Sequence, residues 1–308
     1  MSRIVIFLLA FTISPILFSQ KKDVELFDKT LNQFQNVRDF CISSDGNEAF
    51  FTIQSPNDDI SQIVCIKKND DKWSEPMLLP FCNAFMYMEP FLSSDQKRLY
   101  FVSDRPVNEL QKEKKDFDIW YVERKDKNSD WSPPKNIGFP VNSEQNEFYP
   151  TLSDNNNLYF TIDSPKGRGK DDIYCSEWKN SEYTTPVLLN DSINSEGYEF
   201  NAFISKKEDF LLFTKYNADG GYGSGDLYIA RKNGDGKWGK AVNLGLPINT
   251  RYMEYCPYYD SKTEMLYFTS RRNTLQPQEF KSVSELQHYI SGNENGLSKI
   301  YRIPFKME

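Results

Sequence analysis

The stretch "WSPPKNIGFPVNSEQNEFYPTLSDNNNLYF", residues 131–160, is nearly restated at 238–268 as "WGKAVNLGLPINTRYMEYCPYYDSKTEMLYF". Both begin on Trp, pass through a Gly-x-Pro turn and a Glu, and end on "LYF". Working outward, variants of that last tripeptide start at Ala49, Leu99, Leu158, Leu211 and Leu266, so the chain repeats with spacings of 50, 59, 53 and 55 residues. A turn-rich stretch precedes each one, such as "SSDGN" from Ser43 or "SDNNN" from Ser153. Asp, Asn, Ser and Gly bond their own local backbone, which makes a hairpin between two aromatic-rich strands.

A third strand signal follows in each unit ("QIVCIKK", "DIWYVER", "DIYCSEW", "DLYIARK", "KIYRIPF"), then an aromatic that opens a fourth (Trp73, Trp131, Tyr183, Trp238). An acidic residue stands 16 positions after that aromatic every time: Glu89, Glu147, Glu199 and Glu254. A period near 50 with four strands per unit predicts an all-β fold, a five-bladed β-propeller of four-stranded antiparallel blades. The fifth unit ends after its third strand, and residues 23–31 precede the first hairpin. The N-terminal segment is therefore expected to complete the last blade, closing the ring and hiding sheet edges. A six-bladed layout with one degenerate blade stays open. The insert "TLQPQEFKSVSELQHYISGNENG" in blade 5 predicts a short helix, with a capping box from Ser282 to Glu285.

The N-terminus "MSRIVIFLLAFTISPILFSQKK" reads as a secretory signal peptide over residues 1–19, too short and too Pro-interrupted for a membrane span. It leaves one propeller domain over 20–308, periplasmic or secreted. The chain of 308 residues carries a net charge of −7 and no basic stripe, which disfavours a nucleic-acid partner. The five cysteines fall in registers of different blades that do not pair, so five thiols are expected.

The string "WSPPKNIGFPVNS…EFYPTLSD…LYFT…KGRGKDDIY" resembles the TolB-type, WD-repeat-like β-propellers of bacterial exported proteins, over nearly all of the mature chain. "SDRP" at Ser103 and "SRR" at Ser270 match that family's Ser-x-Arg after the second strand, and "DIY" or "DLY" at Asp172 and Asp226 match its third. Blade 1 departs from the pattern with "FTIQSP" and "QIVC". The resemblance implies the fold, whereas propellers of this kind carry varied roles.

Candidate chemistry is sparse. Glu147, Glu199 and Glu254 lie three residues before Pro150, Ala202 and Pro257, while Glu89 and Asp39 lie one before Pro90 and Phe40. A shift of two keeps a strand face, so these acids are expected near one mouth of the channel. They would either hold a cationic group or bond backbone and a neighbouring blade's Arg, and recurrence in every repeat favours the second duty. Their near-equivalence argues against the divided acid and base roles of a glycosidase. His288 is the single histidine, so no His-based zinc site or triad can form. The run from Asn217 to Asp226 lacks calcium-loop spacing and reads as a turn.

The expectation is an exported monomer, needing no cofactor and catalysing nothing, that binds a protein or envelope glycan on one face. A five-bladed glycosidase and a purely structural envelope component are the alternatives.

Overall fold

The computed structural model describes residues 23–108 and 115–307; the predicted signal peptide, 1–19, lies outside them. The described residues form the five-bladed propeller that the repeat predicts, each blade an antiparallel sheet running from axis to rim. Blade 1 consists of Asn36–Ile42, Glu48–Gln54, Ser61–Asn69 and Met77–Leu78. Blade 2 consists of Tyr87–Leu92, Arg98–Ser103, Asp118–Glu123 and Lys135–Asn136. Blade 3 uses Asn146–Leu152, Leu158–Asp163, Asp171–Ser176 and Val187–Leu188. Blade 4 uses Glu199–Ile204, Phe210–Tyr216, Gly225–Arg231 and Val242–Asn243. Blade 5 uses Glu254–Asp260, Met265–Ser270 and Lys299–Pro304, with Glu25–Leu26 as its outer strand.

The "LYF" signal marks the second strand because that strand packs against a neighbouring blade on each face. Leu99, Phe101, Leu158, Phe160, Leu211, Phe213, Leu266 and Phe268 are all fully buried. The hairpins before them close as their composition dictates. Ser43 Oγ accepts from the Glu48 amide at 3.0 Å and donates to Asp45 at 2.6 Å, and Ser93 and Ser205 repeat the device. One turn residue in each is left-handed (Gly46, Gln96, Asn156, Glu208, Glu264), and only blade 1 spends a glycine there.

Ring closure is carried by less strand than expected. Glu25 and Leu26 pair with Arg302 and Tyr301, after which Lys29–Gln33 turns as a 3₁₀ helix rather than continuing a strand over 23–31. Packing supplies the rest: the Phe27 ring lies 4.6 Å from that of Phe40 and 5.8 Å from that of Tyr267, joining blades 1 and 5. The other fourth strands are likewise two residues long, a short edge that resists edge-to-edge pairing. The aromatics Trp73, Trp131, Tyr183 and Trp238 do not open these strands; each stands four residues before one.

The predicted helix forms over Val283–Ile290, with Ser282 Oγ accepting from the Glu285 amide. The Glu285 carboxylate reaches Lys281 N rather than the cap residue's own amide, so the box is half made. His288 is exposed on it. All five cysteines are free thiols.

Candidate functional site

Each inner strand starts at what is called here the upper face, where the chain arrives from the previous blade, and ends at the lower face in its hairpin. Part-way along, each one slips by one residue against its partner at a bulge that holds one left-handed residue. These residues are Asp39, Glu89, Tyr149, Asn201 and Cys256, with φ of 55°, 58°, 52°, 52° and 51°. Five non-glycine residues thus hold a left-handed conformation at equivalent places around the axis. Such bulges re-aim side chains and are sustained only when the surroundings over-determine them.

The surroundings here are one polar network through all five blades. Arg38 donates to Asp39 Oδ1 and Glu89 Oε1, each at 2.8 Å. The Cys256 thiol donates to Asp39 Oδ1 at 2.8 Å, and the Glu89 amide to Asp39 Oδ2 at 3.1 Å. Glu89 Oε2 accepts from the Tyr149 amide at 2.6 Å, and its Oε1 receives a long contact from Asn201 Nδ2 at 3.5 Å. Tyr149 reaches across the axis to donate to Pro257 O at 2.9 Å, while Arg38 lies over the Tyr255 ring at 5.2 Å. Asp39 is 0% and Glu89 4% exposed. Burial pushes the Glu89 carboxyl up to about 7 despite the opposing Arg38 charge. Burial also works against the Arg38 charge, but Asp39, Cys256, Tyr255 and Glu89 outweigh it and hold the guanidinium well above its usual value. Every carboxylate oxygen in the network has a donor, as buried charge requires.

The four predicted glutamates do not form one ring. Glu147, Glu199 and Glu254 sit two residues before the bulge and are fastened into the loop that precedes them. Each accepts from the amide and hydroxyl of the residue four positions earlier: Ser143 at 3.2 and 2.5 Å, Ser195 at 2.8 and 2.5 Å, Thr250 at 2.7 and 2.8 Å. The preceding Asn142, Asn194 and Asn249 clamp both the amide and carbonyl of Ile119, Ile173 and Leu227 in the previous blade. A motif Val/Ile-Asn-Ser/Thr-x-x-x-Glu therefore stitches blade to blade. The cations near these acids, Lys215 to Glu199 at 3.3 Å and Arg272 to Glu254 at 3.7 Å, belong to the same blade, not the next as expected. Among the described residues Glu147 has none, and burial pushes its carboxyl up to about 7, with Asp118 and Asp116 adding to the rise.

Glu89 differs because the link from blade 1 is two residues shorter. From the start of the fourth strand, Met77 to Glu89 and Lys135 to Glu147 are both 12 positions, yet Glu89 occupies the bulge and Glu147 stops two short of it. A constant 16-residue spacing hid the difference. The alignment on Pro90, Pro150 and Pro257, with Phe40 and Ala202 in the same place, carries it, and it also marks the bulge residues that reasoning from acids alone missed: Tyr149, Asn201 and Cys256; Arg38 stands one residue before its bulge.

The Ser-x-Arg matches also resolve into stacking. Arg105 lies 4.8 Å from the Trp120 ring and Arg272 4.6 Å from the Tyr301 ring, each on its own blade's third strand. At the upper face several apolar side chains stand out in solvent. Phe139 and Leu246, in the loops between blades, are 91% and 68% exposed, and Val283 and Ile290 on the inserted helix 72% and 48%. Among the described residues no group of three or more His, Cys, Asp or Glu is arranged to hold a metal ion, and no helix is long and apolar enough to cross a membrane.

The sequence matches no protein-family model and no curated protein. Its fold is shared with solved five-bladed propellers. An α-L-arabinofuranosidase from Lactobacillus brevis superposes with a TM-score of 0.52 at 16% identity, covering 88% of this chain and 91% of that one. An α-L-arabinofuranosidase from Podospora anserina gives 0.52 at 15% identity over 88% and 90%. The catalytic domain of a GH62 α-L-arabinofuranosidase from Coprinopsis cinerea gives 0.50 at 12% identity over 90% and 92%. At such identities the likeness is one of architecture.

Proposed function

We infer that this chain is an exported, monomeric, non-catalytic propeller of the TolB-type repeat kind, which holds a protein or an envelope glycan on its upper face. The observation that supports this is a contrast at that end of the ring. The acids are closed in, Asp39 and Glu89 by Arg38 and the other three glutamates by their loops, while Phe139, Leu246 and the helix face of Val283 and Ile290 stand open. Glycosidases need two carboxyl groups flanking a substrate, about 5–5.5 Å apart for retention or 6.5–9.5 Å for inversion. Here one guanidinium occupies the space between Asp39 and Glu89 that a sugar would fill.

A second reading, a glycosidase, is favoured by the architecture shared with arabinofuranosidases. The acids are also not equivalent, contrary to the sequence argument against it. Glu89 is pushed up to about 7, the behaviour asked of a general acid. For that chemistry Arg38 would have to swing away and admit substrate. The two readings separate in one experiment. The wild-type chain is incubated with nitrophenyl arabinofuranosides and related glycosides, and a photo-crosslinker at Leu286 is used in envelope extract. Binding predicts no turnover and a cross-linked species lost in Val283→Asp/Ile290→Asp. Turnover abolished by Glu89→Gln would establish the glycosidase instead.

A further inference from the structure

Below the axial network, on the lower face, the inner strands diverge into their hairpins around a cavity of about 450 Å³. Its wall is apolar and largely aromatic, made by Phe91, Leu152, Phe203, Tyr258, Tyr259 and, from the C-terminal tail, Met307. The tail is held there: the Phe305 amide donates to Glu264 O at 2.7 Å and its ring lies 6.3 Å from that of Tyr259. A volume of this size falls within the roughly 300–1,000 Å³ of small-molecule sites.

The rim decides which charge would suit. Its acids are engaged locally. Asp154 accepts from Ser94 Oγ at 2.7 Å, Asp209 from Ser205 Oγ at 2.5 Å, and Asp260 from Lys262 N at 3.0 Å and Thr263 Oγ1 at 2.6 Å. Its cations are not matched to them. Lys262 Nζ donates to the Ser44 carbonyl at 3.1 Å, and among the described residues none of Lys206, Lys207 and Lys262 has a carboxylate within ion-pair distance. Lys206 and Lys207 sit exposed, side by side, in the blade 4 hairpin. Apolar walls reward a hydrocarbon body, and unmatched ammonium groups at the opening reward an anionic head.

We propose that this lower cavity is a binding site for a single amphipathic anion, an acyl-chain carboxylate whose tail lies against the wall of Phe91, Leu152, Phe203 and Tyr258 and whose head meets Lys206 and Lys207. The site is separate from the upper-face function and does not depend on it. Isothermal titration calorimetry with dodecanoate below its micellar concentration should give one site per chain. Dodecyltrimethylammonium, with the same tail and the opposite charge, should bind at least about ten-fold more weakly. Lys206→Glu/Lys207→Glu, both at exposed positions, should weaken dodecanoate by roughly ten-fold while the melting temperature stays put. Phosphatidylglycerol vesicles should not carry the chain in flotation, because the site takes one tail rather than a bilayer surface. Equal binding of the two amphiphiles, no dodecanoate binding by the folded chain, an unchanged affinity in the lysine variant, or flotation with vesicles would each overturn the proposal.

Discussion

Arg38 Nη2 lies 2.8 Å from Glu89 Oε1, so one guanidinium joins the inner strands of blades 1 and 2 at the axis while its Nε holds Asp39. Asp39 in turn accepts from Cys256 of blade 5, and Glu89 from the Tyr149 amide of blade 3. The network does in polar terms what a hydrophobic plug would do, with a sharper demand on geometry. Removing its cation strands two buried carboxyl groups. Arg38→Met should therefore lower stability by about 3–5 kcal/mol, the usual cost of breaking a buried pair. Chemical denaturation of the variant beside wild type measures it. A loss below about 1 kcal/mol would mean that the network contributes little.

The raised Glu89 carboxyl makes stability depend on pH. An acid whose folded value, about 7, lies above its unfolded value near 4.5 binds its proton more tightly when folded. Its contribution is full below about pH 4.5 and is lost as pH rises through 7. Glu147, also near 7, acts in the same sense. Melting temperature should thus fall between pH 5 and pH 8, and Glu89→Gln should flatten that part of the profile by on the order of 1–3 kcal/mol. An identical pH profile for wild type and variant would remove Glu89 as the cause.

The architecture was legible because the second strand meets the same demand in each blade. Packed on both faces, it asks for Leu or Ala, then a ring or Leu, then Phe, and it receives them from Ala49 to Phe268. The axial network was not legible in that way. Its five positions share a backbone conformation and no side-chain type, so Asp39, Glu89, Tyr149, Asn201 and Cys256 leave no repeat in composition. What they share is the residue after the bulge, Pro in three blades. The loop glutamates misled for the opposite reason: their side chains repeat, and Glu89 joined them through a link shortened by two residues. Closure was legible as topology but not in extent, since Phe27 carries by packing what strand pairing over 23–31 does not.

The loop glutamates should respond unequally. In Glu199 both oxygens accept from Ser195 and Lys215 stands at 3.3 Å, so Gln there loses an ion pair and offers one acceptor where two are used. Glu199→Gln should cost about 1–2 kcal/mol. Glu147 has no cation paired with it among the described residues and sits near Asp118 and Asp116, so Glu147→Gln relieves repulsion as it weakens the Ser143 contacts and should cost under about 1 kcal/mol at pH 7. Thermal melts of the two variants side by side decide this. Equal losses would show that the acidic neighbours of Glu147 are screened.

Closure rests on Phe27 more than on the ladder beside it. Phe27 is 5% exposed, with rings from blades 1 and 5 around it and its amide donating to Ile300 O at 2.9 Å. Truncating it opens a cavity at the seam of the ring, so Phe27→Ala should cost about 3–5 kcal/mol. The neighbouring Glu25–Arg302 pair, at 3.0 Å, has one partner largely in solvent, and Glu25→Ala should cost no more than about 1 kcal/mol. If the ladder alone closed the ring, neither side chain would matter and only deletion of 25–27 would lower the melt. A Phe27→Ala chain that melts with wild type would favour that arrangement. One that melts far lower, while Glu25→Ala does not, locates the closure in the core between blades 5 and 1.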